Sequence, residues 1–219
     1  MATVAVVGGG YGGAPAAKAL DEIADVVLID PKDAFVHNIA ALRGLVNPEW
    51  TDRVFYPYER LLRRGRVVRG RAVRVDANAV TIDSGESIAA DFIVLASGSS
   101  YPFPAKMDVN DSAAAKSKIA HTRAELAKAD RVLLLGAGPV GGAAGRHADV
   151  VVSNIHSLIE GRDELVAYEP APPLILLPLG PAGGVSLLPG RGFVGAEVTA
   201  QLKGHDLFAG RYAELFNLS

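Results

Sequence analysis

The stretch that most limits what this chain can fold into is residues 3–13, Thr3-Val4-Ala5-Val6-Val7-Gly8-Gly9-Gly10-Tyr11-Gly12-Gly13. A short apolar run feeds directly into glycines spaced Gly8-x-Gly10-x-x-Gly13. A second apolar run, Val26-Val27-Leu28-Ile29, ends in Asp30. Strand, tight turn, helix, strand and acid in that order form the dinucleotide-binding fingerprint. Each part has a mechanical reason. Gly8 permits the tight turn, Gly10 lets backbone approach a pyrophosphate, and Gly13 lets the helix lie close to the strand. The helix N-terminus offers unpaired N–H groups and partial positive charge to the phosphates. Asp30 can accept hydrogen bonds from an adenosine ribose.

Composition removes several classes of function. A length of 219 residues is enough for one large or two small domains. Hydrophobic residues at 49 % and charged residues at 21 % fit a soluble globular chain rather than a disordered one. A net charge of −2 gives no electrostatic case for nucleic acid. The absence of cysteine excludes disulfides, thiolate metal sites and a Cys-x-x-Cys relay within these residues. It also fits a reducing compartment. No apolar run is long enough to span a bilayer, and no signal-type segment opens the sequence. The expectation is a cytoplasmic protein. Five histidines occur without ligand-like spacing, so no metal is expected. No nucleophile or Ser/His/Asp triad is evident, and no catalytic residue is assigned.

Along the chain, residues 2–7 and 25–29 read as buried parallel strands flanking a helix at about 11–22. Helical spacing of Ile39, Leu42 and Val46 predicts a helix from Asn38, ended by Asn47-Pro48. A short helix is expected at 57–64. Arginine is then dense, from Arg60 to Arg74, in alternation with Val67, Val68, Val73 and Val75. That pattern suits half-buried strands with a solvated basic face better than a phosphate patch. Residues 66–69, 71–75 and 79–83 read as one antiparallel meander. Another buried strand spans 91–95, ending in Ala96-Ser97-Gly98-Ser99-Ser100, small residues suited to a flat ligand. An alanine-rich helix is expected at 111–129, capped by Asp111 or Ser112. Strand 131–135 opens a second G-x-G-x-x-G, Gly136 to Gly141, followed by a helix at about 143–159 but by no strand ending in an acid. After a proline-rich connector come an edge strand at 174–180, a hairpin or loop at 181–191, and helices at 193–202 and 207–216. In the last helix Phe208, Tyr212, Leu215 and Phe216 share a face, which either packs on the body of the protein or touches a membrane surface.

With these pieces assembled, the sequence resembles the FAD-dependent pyridine-nucleotide oxidoreductases. Within them it is similar to the apoptosis-inducing-factor-like, ferroptosis-suppressor-like branch near the type II NADH dehydrogenases. The resemblance rests on Val6 to Gly13, on Asp33-Ala34-Phe35-Val36-His37-Asn38-Ile39-Ala40-Ala41-Leu42-Arg43, and on Leu95 to Ser99 with Pro102-Phe103-Pro104. It extends through Leu135 to Gly141, Ala144 to Asp149 with Asn154-Ile155, and Lys203 to Phe208. The fold class it implies is α/β: a Rossmann-like FAD-binding domain with a parallel sheet, a small antiparallel meander, and a C-terminal α+β tail. The domains would be 1–160 and 161–219. The resemblance implies that FAD occupies the first site. Gly8, Gly10, Gly12 and Gly13, with Tyr11 in the same turn, would cradle the pyrophosphate, and Asp30 would hold the ribose. Lys32 and Arg43 are candidate polar contacts. Val73 would meet the adenine through its backbone, and Ala96 and Gly98 would line the flavin side. His37 and His147 would lie near the cavity, or be satisfied structural histidines.

In such enzymes NAD(P)H reduces the flavin and a quinone-type small molecule accepts the electrons. This chain departs from that pattern. No Gly-Asp dipeptide occurs, and Gly141-Gly142 joins almost directly to the helix of Ala143 to His147. Roughly 100–150 residues, a domain's worth, are missing near 141–143. Two readings follow: an FAD-dependent NAD(P)H:acceptor oxidoreductase, or a non-catalytic, shortened nucleotide-binding scaffold. A face built to be covered would also favour a homo-oligomer.

Overall fold

The computed structural model describes residues 1–131 and 142–218. The second glycine-rich segment, and all but Arg131 of the strand expected before it, lie outside the described residues. In chain order the elements begin with β1 (Thr3–Val7), α1 (Gly13–Leu20), β2 (Asp25–Asp30) and β3 (Ala34–Val36). Next, α2 (Asn38–Ala41) tightens into a 3-10 turn at Leu42–Leu45. Then follow β4 (Phe55–Pro57), β5 (Arg66–Arg69), β6 (Ala72–Val75), β7 (Ala79–Ile82), β8 (Ser87–Ala89) and β9 (Phe92–Leu95). Two longer helices, α3 (Ser112–Leu126) and α4 (Gly142–Ile159), precede β10 (Ile175–Leu179), β11 (Gly183–Leu188) and β12 (Gly192–Val194). The chain closes with α5 (Ala196–Thr199), a π-helical turn at Ala200–Gly204, and α6 (Ala209–Leu215).

The centre is a parallel sheet of order β5-β2-β1-β9. Both faces of its middle strands are covered, which explains their unbroken apolar sequence. Val4, Val6, Val26 and Leu28 face a core shared with Ala14, Ala17 and Leu20 of α1, and with Ile155 of α4. Ala5, Val7, Val27 and Ile29 face Val80, Ile82 and Ile88 of the β6-β7-β8 meander. The small residues on the inner side of α1 keep it close to the sheet. The helix α3 starts as expected, with the Asp111 side chain accepting the Ala114 N–H at 2.9 Å.

Several local expectations change. Residues 66–69 do not belong to the meander but extend the parallel sheet beside β2. The cause is Asp21, whose carboxylate accepts the N–H groups of Arg63 (2.6 Å), Arg64 (3.1 Å) and Gly65 (2.6 Å) and steers the chain along β2. The third meander strand is instead β8. Residues 34–36 form a strand paired with β4, and 57–64 shrink to a 3-10 turn at Tyr58–Arg60. The region 181–191 is largely strand, and 192–194 continues it before helix begins at Ala196. β10 lies at a sheet edge, where Pro178 is tolerated.

The C-terminal segment returns to the first core. Phe216 is fully buried, stacked on Phe35 with ring centroids 5.5 Å apart and tilted against Tyr56 at 5.6 Å. Tyr212 stacks on Phe35 at 4.9 Å. The aromatic face of α6 is thus occupied by packing against the body of the protein.

Candidate functional site

A cleft of about 720 Å³ opens at the C-terminal ends of β1, β2 and β9. Open α/β sheets bind ligands at that edge, where neighbouring connections diverge to opposite sides, and here they diverge between β1 and β9. Four segments wall the cleft: 7–12, 29–32, 70–72 and 94–101. Tyr58, Lys106, Asp108, Asn110 and, from α4, His147 are among the other residues that line it.

The floor is the turn after β1. Gly8 adopts φ +101°, and a Cβ there would run into the Ala96 carbonyl. Its N–H is held by the Ile29 carbonyl at 2.8 Å, and the Ala96 N–H by the Val7 carbonyl at 2.8 Å. A Cβ on Gly13 would collide with the Gly8 carbonyl, so the helix can start this close to the strand only as glycine. At Gly10, by contrast, a Cβ would meet nothing and would project into open space beside the cleft. The backbone N–H groups of Tyr11, Gly12 and Gly13 find no acceptor among the described residues. Gly12 is the N-cap of α1 and Gly13 its first residue, where the helix dipole adds positive potential, and Tyr11 directly precedes them.

Asp30 lies at the end of β2, buried at the cleft wall. Its carboxylate accepts the Gly9 N–H at 2.6 Å and the Lys32 N–H at 2.8 Å, which locks the side chain in place. A carboxylate offers about four lone-pair sites, so capacity for further hydroxyl donors remains. Tyr58, on the turn after β4, donates its hydroxyl to the Gly9 carbonyl at 2.9 Å. Burial, then the carboxylates of Asp30 and Asp33, pushes this phenol well above its ordinary value, so it remains a donor. Three cationic residues line the cleft, Lys32, Arg71 and Lys106. Lys106 donates to the Ser99 hydroxyl at 2.9 Å. Burial, with Lys32 nearby, lowers its ammonium below the usual lysine range.

Of the residues expected at the site, the fold brings Gly8, Gly10, Tyr11, Gly12, Asp30, Lys32, Ala96 and Gly98 to the cleft wall. Gly13 sits directly beneath, as the helix–strand contact. Arg43 is not in the lining. The turn after α2 carries it to the C-terminal segment, where its guanidinium donates to the carbonyls of Gly204 and His205 (2.9 Å to the latter) and lies 4.6 Å from the Trp50 ring centroid. Val73 is one residue beyond the lining segment 70–72 and is mostly exposed. His147 lines the cleft, edge-on to Tyr168 at 4.2 Å, whereas His37 is fully buried behind Tyr11. Tyr58, Arg71 and Lys106 escape a reading by sequence because each reaches the cleft from a separate loop or short strand, with no shared spacing. No group of metal-ligating residues occurs among the described residues.

Residues 2–173 match the family described as pyridine nucleotide-disulphide oxidoreductase. The chain is 37 % identical over 144 residues to ferroptosis suppressor protein 1 of Taeniopygia guttata, covering 63 % of this chain and 38 % of that protein. It is 29 % identical over 139 residues to apoptosis-inducing factor homolog B of Dictyostelium discoideum, covering 63 % and 36 %. Among solved structures, the sulfide:quinone oxidoreductase of Aquifex aeolicus aligns with a TM-score of 0.47 at 24 % identity, over 58 % of this chain and 32 % of that one. The matched part therefore spans little more than a third of each curated relative. With the match running from the first strand past α4, the chain belongs to the pyridine nucleotide-disulphide oxidoreductase family of redox flavoproteins.

Proposed function

We propose that this chain binds FAD by its adenosine and pyrophosphate end, as the flavin-holding part of an oxidoreductase that passes electrons from NAD(P)H through the flavin to a quinone-type acceptor. The observation that carries the first half is the turn 8–13. Its Cβ-free approach at Gly10 and the N–H groups of Tyr11, Gly12 and Gly13, which have no acceptor among the described residues, fit a pyrophosphate at a helix N-terminus. Asp30 is prearranged to accept ribose hydroxyls, and Lys32 and Lys106 supply positive charge along the same wall. Bound FAD would supply hydride acceptance and onward electron release, chemistry that no side chain in the cleft provides. The protein's own part is to orient the nucleotide, with Ala96 and Gly98 keeping one side of the cleft low enough for a flat ring. The 219 residues contain no cysteine, so no disulfide relay passes through them. The acceptor half of the reading rests on the family resemblance.

One observation favours the second reading, a nucleotide-binding scaffold without turnover. After α4 no strand occurs in the described residues until Ile175, so the unit begun at the second glycine-rich segment has no second strand and no ribose-binding acid. The deciding experiment has two steps. The purified protein, reconstituted with FAD and desalted, should keep the visible flavin absorbance; a colourless protein overturns the FAD assignment. Anaerobic NADH or NADPH should then bleach that band, and a flavin that stays oxidised selects the scaffold.

A further inference from the structure

The family motif around Phe35 to Arg43 contains a buried histidine that contacts neither solvent nor the cleft. His37 is 0 % exposed, and both ring nitrogens are engaged. Nε2 lies 2.6 Å from the Leu207 carbonyl, and Nδ1 lies 2.9 Å from the Tyr11 hydroxyl. A carbonyl can only accept, so Nε2 carries the proton. In the neutral ring Nδ1 is then an acceptor, and Tyr11 must donate to it. Burial pushes the His37 pKa down to about 4, in keeping with the neutral ring. The Tyr11 oxygen in turn accepts the Ile39 N–H at 3.1 Å. Tyr11 is itself part of the Gly10–Gly12 turn that lines the cleft. One continuous chain of hydrogen bonds thus joins the C-terminal segment, at the left-handed residues Leu207 (φ +52°) and Phe208 (φ +66°), to the cofactor turn.

We infer that His37 is a positioning residue for the glycine turn, and that the docked C-terminal segment acts through it by selecting the tautomer that holds Tyr11. The inference concerns FAD binding only through the function proposed above; its structural half stands on the apo protein. Without the Leu207 carbonyl, the ring proton is free to sit on Nδ1, which then no longer accepts the Tyr11 hydroxyl. Tyr11 would keep only the Ile39 N–H as its tie to residues 37–39, and the turn would be held less firmly.

Three variants test this. Tyr11→Phe keeps the ring and removes the hydroxyl. His37→Gln can keep a donor toward Leu207 but lacks the acceptor beside Tyr11. His37→Asn places an amide oxygen near the Nδ1 position and can accept from Tyr11 without help from the tail. Tyr11→Phe and His37→Gln should each speed amide hydrogen exchange across residues 8–13 in the FAD-free protein, and weaken FAD binding about tenfold, the size expected for one buried hydrogen bond. His37→Asn should recover both to within about threefold. Lys18→Met, which releases the tail where Lys18 bonds the Glu214 and Leu215 carbonyls and Asn217, should leave FAD affinity within about twofold. Equal behaviour of the Asn and Gln variants, or wild-type exchange in Tyr11→Phe, overturns the inference. If the wild type binds no FAD, the proposed function fails, and the exchange comparison still decides the role of His37.

Discussion

The two main sheets of this protein obey opposite rules. In the parallel sheet, Leu28 and its neighbours are buried on both faces, under α1 and α4 on one side and the β6-β7-β8 meander on the other. In the antiparallel β10-β11-β12 sheet the described residues cover one face only, where the buried Ser186 hydroxyl meets that of Thr199 at 2.8 Å. Its other face presents Ile175, Leu177, Leu179 (70 % exposed) and Phe193 (79 % exposed) to solvent. Identical residue types therefore contribute differently to stability. Burying a Val or Leu side chain is worth about 1.5–3 kcal/mol, and that gain is realised only where a second layer exists. The cleft is built on the doubly covered sheet, where the backbone is least free to shift.

The contrast can be broken at four points. Leu28→Ala should cost about 3–5 kcal/mol in chemical denaturation, because the cavity lies between packed layers; a loss under about 1 kcal/mol would mean that the sheet is not closed on both sides. Acid should act through His37. Burial, the main cause, places its folded pKa at about 4 against an ordinary 6.5, opposed by the hydrogen bond to the Leu207 carbonyl and by Asp206, with Lys203 lowering it further. The unfolded chain binds the proton first, so the stabilisation from the neutral ring is complete above pH 6.5 and is lost as pH falls toward 4. The loss amounts to about 3 kcal/mol. His37→Gln should flatten that part of the stability profile, and an unchanged profile would assign the acid sensitivity elsewhere. Asp30→Ala should weaken FAD retention about tenfold through loss of the ribose acceptor and of the Gly9 N–H bond; equal retention removes Asp30 from the site. Leu179→Thr, on the open face, should change stability by less than about 0.5 kcal/mol. A loss comparable with that of Leu28→Ala would show that a partner covers this face in solution.

Legibility in the sequence followed the range of the forces involved. β1, α1 and β2 were readable because their determinants are local: an apolar run, glycines at fixed spacing and a terminal acid. Asp111 announced α3 for the same reason. β5 was misleading because Arg66-Val67-Val68-Arg69 mixes charge and valine as the neighbouring meander strands do, while its parallel pairing with β2 depends on Asp21, more than forty residues earlier. β3 and β4 hold three residues each, too few for any period to show. In the candidate site, the glycine turn and Asp30 were visible, since a tight turn and a strand-end acid carry residue signatures. Lys106 and Tyr58 were not, because each converges on the cleft only after the chain has folded.

The sequence by itself determined the floor and one wall of the cleft: the strand–turn–helix unit, the glycines that keep side chains out of the cleft, and the acid opposite them. The tertiary structure alone decided what the Phe35 to Arg43 motif does. His37 and Arg43 both donate to carbonyls of the C-terminal segment, as Tyr56 does to Ala209 at 2.9 Å and Lys18 does to Leu215. Every residue carries a carbonyl, so nothing in the residue order marks which ones will accept. Only the path of the folded chain leaves those of Gly204 to Leu215 facing donors from residues 18–56.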